Sequence, residues 1–325
     1  MSILSVLSLL AGVAIFMFGM LLIKYALSEN LNKKTEGLMK KFTSGRFSAT
    51  LTGTAVTAAL QSSSASSVIT ATLVDNGSLS LYSAFWIIVG ANLGTTFTGL
   101  LTAVSFSDIA PFFCVIGIVL LAMTERKGLS TAGIFFMGFG LLFVGMATMK
   151  NAVGDIRDSR VVYDILQKSS SPFTGLLTGC FFTALIQSSA ATTALLQTMA
   201  EDGIVGIRQC FYILLGANVG TCATCVIASS GLGSSAKKVS WMHTMYNFSG
   251  SVFFVLLSLV IPLPEMAEQF FPGNVKMQTG MINVFFNLIT AIIALMLPVK
   301  KAFCSEKSNK INYLHSFPRV LKYNR

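Results

Sequence analysis

The sequence predicts an all-α polytopic membrane protein. It is built from two inverted repeats, each with a re-entrant broken hairpin and three spanning helices, plus one extra C-terminal span. Three observations lead there. The 325 residues are 53% hydrophobic and only 11% charged, with a mean hydropathy of +0.72, whereas a soluble domain carries about 25% charged residues. The two halves of the chain match each other at an offset of 126, polar residues included. The basic residues fall in loops, and unequally between the two copies of each loop.

The duplication is read from residues that chance would not align. Gly19-Met20 falls on Gly145-Met146, Lys24 on Lys150, Gly53 on Gly179, and Thr57-Ala58 on Thr183-Ala184. "QSS" at 61–63 falls on "QSS" at 187–189, and "GANLGT" (90–95) on "GANVGT" (216–221). No gap is needed from Gly19 to Thr98, whose partner is Thr224. Apolar sequence alone would match Leu and Val, not Gln, Asn and Gly in register.

Each repeat opens with a spanning helix (about 5–24 and 131–149). The first has no positive n-region, with Lys24 at its far end, so it is expected to be a retained span and not a cleaved signal. A polar loop follows (25–47 and 150–171), then an apolar segment broken by the Ser run (48–74 and 172–200). Next comes a helix expected to break at "GAN-G" (about 81–104 and 207–228), and a last span closes the repeat (110–123 and 239–261). The boundaries are thus 1–125 and 126–262 for the two repeats. Residues 263–300 form an outer loop and an extra helix, and 301–325 a basic cytoplasmic tail.

Loop charge sets the orientation. Loop 24–47 has six basic residues (Lys24, Lys33, Lys34, Lys40, Lys41, Arg46) against Glu29 and Glu36. Its counterpart, 150–171, has four against Asp155, Asp158 and Asp164. If the Ser-broken segment enters and leaves on one side, each repeat has three spans and the halves are inverted. With the N-terminus outside, only Lys150, Arg157, Arg160, Lys168, Arg208 and Lys276 of the 23 Lys and Arg then lie outside, as the positive-inside rule requires. The expected location is the cytoplasmic (inner) membrane, multi-pass, with the C-terminus cytoplasmic. The net charge of +10 is therefore a topology signal, and nucleic acid is not an expected partner.

Polar groups at membrane depth are tolerated where they line a cavity or find partners within the protein. A lone Ser-Ser pair could be small-residue packing, but two in-register copies, each beside a Gln and followed by an Asn-Gly-Thr, require more. Paired broken segments are the pattern in which half-helix ends meet near the midplane. Ser62, Ser63 and Ser64 can cap the second half-helix, as Ser188 and Ser189 can in the second copy. The N–H groups and positive dipole end there attract an anion. Carbonyls ending the first half-helix, with Gln61 or Gln187, offer oxygens to a small cation, and Asn92, Thr95, Asn218 and Thr221 add more. Hydroxyls recur at Ser66/Thr192 and Ser67/Thr193, while Ser64 pairs with Ala190.

Lys24 and Arg208 stand at span ends, and no Asp, Glu, Lys or Arg falls within the expected spans proper or the hairpin tips, which argues against a carboxylate proton relay and suits Na⁺. His243 beside Trp241 is expected at the interface. A nucleophilic Ser needs a positioned base, and none is near either motif, so an enzyme is not expected. Cys222 and Cys225 are expected to be packing residues, and no metal site beyond sodium is expected. Bringing a divalent anion into a cell held about 100 mV negative costs roughly 4–5 kcal/mol. Two co-transported Na⁺ would cancel that charge.

Paired "QSSS"-type motifs, each followed by "GAN-GT" in an inverted duplication, resemble the sodium–phosphate cotransporter family: the type II proteins of animals and their bacterial relatives. The likeness covers about residues 5–300 and implies Na⁺-coupled symport of inorganic phosphate by alternating access, with no cofactor besides the coupling ion. By position it carries substrate contacts to Gln61, Ser62, Ser63, Ser64, Gln187, Ser188 and Ser189. It carries sodium contacts to Gln61, Gln187, Thr192, Thr193, Asn218 and Thr221. Ala190 lacks a hydroxyl the family often has, and Cys222 and Cys225 stand where the first repeat has Thr96 and Gly99. The short form resembles bacterial members without their PhoU-like domain, so regulation of that kind is expected to be missing or to come from another chain. The oligomeric state, a homodimer included, is left open. Transport of another oxyanion, phosphate export and an anion channel are the alternatives.

Overall fold

The computed structural model describes residues 3–28, 45–104, 106–123, 126–156 and 168–299, with the single positions 37, 39, 42 and 166. The charges of loop 25–44 (Glu29, Lys33, Lys34, Glu36, Lys40 and Lys41), Arg157, Asp158, Arg160, Asp164 and the tail from residue 300 lie outside the described residues. Among the described residues the protein is all-α. The helices are α1 (Ile3–Ser28), α2 (Arg46–Leu60), α3 (Ser63–Asp75), α4 (Leu81–Ala103), α5 (Ala110–Met123) and α6 (Lys127–Ile156). The second half has α7 (Pro172–Ile186), α8 (Ser189–Glu201), α9 (Ile207–Gly220), α10 (Cys222–Ser230) and α11 (Ser234–Ser258). Helices α12 (Leu263–Phe270) and α13 (Val275–Met296) complete it.

Among the described residues, five stretches are long and apolar enough to cross a bilayer: Ile3–Leu27, Leu81–Ala103, Gly128–Gly154, Ile207–Ser230 and Val275–Met296. A sixth, α11 with α12, is bent by 86° at its break. This is a multi-pass membrane protein with one broken span. The segment expected to close the first repeat is shorter than a span. Helix α5 has 14 residues, about 21 Å at 1.5 Å per residue, against a hydrocarbon core of about 30 Å.

Glycines decide how close the helices come. A side chain at Gly53 would collide with the carbonyl of Ile87, and one at Gly90 with the carbonyl of Thr50. Their counterparts behave alike, Gly179 against Ile213 and Gly216 against Leu176. So α2 lies backbone to backbone on α4, and α7 on α9. This overturns the expected break at "GAN-G". Helix α4 runs unbroken through 90–95, and in the second copy only Thr221 interrupts, with helical dihedrals (φ −57°, ψ −28°). The glycines are there for contact. Gly90→Ala is expected to cost about 1–3 kcal/mol by overpacking. Gly154→Ala, with open space around it, should be neutral or stabilising. Melting curves of the two variants in detergent check this, and equal melting would remove the contact argument.

Helix α1 packs on α6 in the same way, with Gly12 against Met149 and Gly19 against Leu142. Phe16, Leu142, Phe143 and Met149 are buried along that seam. A second core gathers α2, α3 and α4 around Trp86, Ile87 and Ile88. His243 corrects another expectation. It is fully buried (0% exposed), while its neighbour Trp241 is 62% exposed. Two residues along a helix turn a side chain to the opposite face, so His243 points into the protein while Trp241 points out of it.

Candidate functional site

Both Ser-broken segments fold as two helices joined by a tight turn, and the turns are alike. Gln61 ends α2 with φ 50°, ψ 31°, and Gln187 ends α7 with φ 58°, ψ 25°. They are the only non-glycine residues with positive φ among those described. A left-handed non-glycine residue costs on the order of 1–3 kcal/mol and persists where surrounding structure enforces it. Next comes an extended Ser that caps the following helix. Ser62 Oγ accepts from Ala65 N at 3.1 Å, and Ser188 Oγ from Ala191 N at 3.2 Å. Because the cap takes the third N–H of its helix, the amides of Ser63 and Ser64, and of Ser189 and Ala190, have no intrahelical partner. They crown two helix N-termini.

Hydroxyls staple the arms of each pair. Thr57 Oγ1 donates to Ser66 Oγ at 2.7 Å, and Thr183 and Thr192, their counterparts, share a 2.9 Å bond. Thr192 is thus partly occupied by fold maintenance, as Ser66 is. Thr193 Oγ1 donates to Ser189 O at 2.9 Å, which leaves its oxygen lone pairs available.

The first turn is tied to α4. Thr98 Oγ1 donates to Gln61 Oε1 at 2.7 Å, and Gln61 Nε2 donates to Ala58 O at 2.5 Å. The next residue, Gly99, borders Thr193 of the second pair: a Cβ there would lie 3.5 Å from Thr193 Cγ2. The end of α4 therefore brings Gln61, Thr98 and Thr193 together. The second copy is looser. Gln187 is exposed, and Thr224 Oγ1, the counterpart of Thr98, is buried without a hydrogen-bond partner among the described residues. Ser67 Oγ, the counterpart of Thr193, is unpartnered too.

Asn92 and Asn218 are buried in an amide network that the sequence did not predict, and its Asn283 also borders Gly99. Asn92 Nδ2 donates to Asn247 Oδ1 at 2.9 Å, and Asn247 Nδ2 to Asn218 O at 3.0 Å. Asn218 Nδ2 donates to Asn283 Oδ1 at 3.2 Å, and Asn287 Nδ2 to the same oxygen at 3.0 Å. The network joins α4, α9, α11 and α13. Thr95 and Thr221 turn back to the carbonyls of Ala91 and Ala217, each at 2.9 Å. Asn283 and Asn287, four apart in an apolar helix, were a legible signal of a buried polar face.

At the far end of α4, Gln197 Nε2 donates to Gly99 O at 2.9 Å and Lys276 O at 3.2 Å. Close by, Lys276 Nζ meets Glu201 Oε2 at 2.7 Å, and Lys150 Nζ meets Glu201 Oε1 at 3.3 Å. Burial raises the Glu201 carboxyl, but the Lys276 hydrogen bond and charge, with Lys150, outweigh it and hold the group below its ordinary value.

An all-α membrane protein with two matching Gln-Ser turns, each capping a half-helix, belongs among polytopic transporters that use broken segments. The Na⁺/Pi-cotransporter family profile matches residues 15–151 and 157–272, and the chain belongs to that family. It is 31% identical over 301 residues to the uncharacterized protein YqeW of Bacillus subtilis, covering 91% of this chain and 95% of that one. It is 22% identical over 293 residues to the putative inorganic phosphate export protein YjbB of Escherichia coli K12, covering 90% of this chain and 53% of that one. This chain thus spans about half the length of that relative. It is 26% identical over 155 residues to the rat sodium-dependent phosphate transport protein 2A, covering 47% of this chain and 24% of that one. No solved structure matches.

Proposed function

We infer that the protein carries inorganic phosphate across the cytoplasmic membrane by secondary active, sodium-coupled symport with alternating access. The observation that carries this reading is the pair of Gln-Ser turns at equivalent positions, each with a left-handed Gln and a capped helix N-terminus. Such termini accept an oxyanion. Phosphate contacts are assigned to Gln61, Ser62, Ser63, Ser64, Gln187, Ser188 and Ser189. Sodium is assigned to neutral oxygens of Gln61, Gln187, Thr192, Thr193, Asn92, Thr95, Asn218 and Thr221. Membership of the family and the sodium-dependent phosphate transport named for its rat member support the substrate and the coupling ion.

The proposed topology is two inverted repeats, 1–125 and 126–262, with both Ser-broken segments re-entrant and the N-terminus outside. Helix α4 supports it. Its start follows the base of the first pair, where Gly233 N donates to Asp75 Oδ2 at 3.0 Å. Its end meets Gln197 at the base of the second pair. Twenty-three residues span about 34 Å, so the two bases lie at opposite ends of one spanning helix. Lys237 and Lys238 accompany the first base, while the second carries Lys150 and Lys276 on Glu201 and Arg208 on Glu265, so the proposed orientation rests on the loop charges.

Export is the second reading, favoured by the putative phosphate export proteins among the relatives. Radiolabelled phosphate uptake into proteoliposomes, with Na⁺, K⁺ or pH gradients imposed in turn, tests both. Saturable uptake that needs inward Na⁺ and is blocked by arsenate but not sulfate is the expected result. Na⁺-independent flux would remove the coupling assignment. Efflux from phosphate-loaded vesicles that outpaces uptake under the same gradient would favour export.

A further inference from the structure

Away from the turns, α4, α11 and α13 enclose an open groove of about 770 Å³, lined among others by Phe85, Met242, Met245, Phe253, Ile293 and Leu297. Its few polar linings are already satisfied. Tyr246 donates its hydroxyl to Thr290 Oγ1 at 3.2 Å, Thr290 Oγ1 donates to Phe286 O at 2.7 Å, and Ser249 Oγ donates to Tyr246 O at 3.1 Å. The groove therefore offers an occupant apolar contact and little else.

Its dimensions point to a lipid chain. From Met242 to Phe253 it follows eleven residues of α11, roughly 16 Å, against about 15 Å for half of a hydrocarbon core. Its Met242 end lies beside Leu297 to Val299, because α13 runs antiparallel to α11, Phe254 packing on Phe286 and Tyr246 bonding Thr290. One turn before Met242, on the same helix face, stands Lys238. Lys237 precedes it, and both are exposed. Trp241, 62% exposed, marks the headgroup level between them and the groove. Apolar slot, interfacial ring and paired cations follow in the order that an anionic phospholipid presents chain, glycerol and headgroup.

We propose that this groove is a binding site for one anionic phospholipid of the leaflet that Lys237 and Lys238 face. Its acyl chain lies along α11 and its phosphate against the lysines. The chain's own tail begins at the groove's rim, but a peptide entering at hydrocarbon depth would carry unpaired N–H and C=O groups with it. An acyl chain carries none. The occupied groove would brace α11 against α13, the two helices whose Asn247, Asn283 and Asn287 join the amide network.

The test is native mass spectrometry of the full chain in detergent, titrated with phosphatidylglycerol or phosphatidylcholine. One tightly retained phosphatidylglycerol is expected, with phosphatidylcholine lost first. Ser249→Phe fills the groove and gives up a single hydrogen bond to a backbone carbonyl. It should weaken retention about tenfold, the effect of excluding two methylenes. Lys237→Glu with Lys238→Glu should do the same by charge, and unchanged elution volumes show both variants folded. Equal retention of both lipids by the wild type, or equal phosphatidylglycerol retention by wild type and Ser249→Phe, overturns the proposal. A fall in oligomeric mass in Ser249→Phe would make a second copy the occupant and overturn it as well.

Discussion

Replacing Gln61 with Ala is expected to lower sodium-driven phosphate uptake by about tenfold or more while the protein still inserts and folds. The side chain has two observed partners, the Thr98 hydroxyl at 2.7 Å and the Ala58 carbonyl at 2.5 Å. It is also the residue that turns the chain from one half-helix into the next. A hydrogen bond to a charged ligand contributes about 1.5–3 kcal/mol, or roughly 10- to 150-fold in affinity. Loss of stability could lower uptake too, so a second variant separates the two. Gln61→Gly removes the same side chain but suits the left-handed backbone, which costs an L-residue about 1–2 kcal/mol. The Gly variant should therefore melt above the Ala variant while transporting just as poorly. If Gln61→Gly keeps wild-type uptake and Na⁺ activation, the side chain has no part in the site. Gln187→Ala should raise the Na⁺ needed for half-maximal uptake more than Lys33→Ala, a loop change of similar size. Identical Na⁺ curves would remove Gln187 from the coupling assignment.

These turns were legible in the sequence because their physics is local. A Ser that can cap a helix after a residue able to end one sets a boundary wherever it occurs, and the two copies agree to within two residues of their expected limits. The "GAN-G" stretches misled for the opposite reason. A glycine at a helix break and one at a helix crossing are identical in sequence, and only the Thr50 and Leu176 carbonyls facing Gly90 and Gly216 tell them apart. His243 was misplaced because one polar residue in an apolar helix does not declare its face. Asn247, Asn283 and Asn287 have no counterpart in the first repeat, so the duplication does not mark them. Their role exists only where four helices meet.

The ion cluster at the second base yields the other large effect, on stability. Glu201→Gln is expected to destabilise the protein by about 2 kcal/mol. Lys276 has only 9% of its side chain exposed and loses its 2.7 Å carboxylate partner. Breaking a fully buried pair costs about 3–5 kcal/mol, and the smaller figure allows for the third of Glu201 that stays in water. The acid branch carries a sign. Glu201's carboxyl lies below its ordinary value when folded, so its contribution is complete above about pH 4.3, the unfolded carboxyl's value. It is lost as the pH falls through the lower folded value. The wild type should therefore hold a level melting temperature through neutral pH and lose part of it on acidification, and Glu201→Gln should lack that part of the slope. Replacing both partners, Glu201→Gln with Lys276→Met, should cost less than the sum of the single changes, since no uncompensated cation is left behind. Strict additivity across the cycle would mean that water, and not Glu201, is what satisfies Lys276.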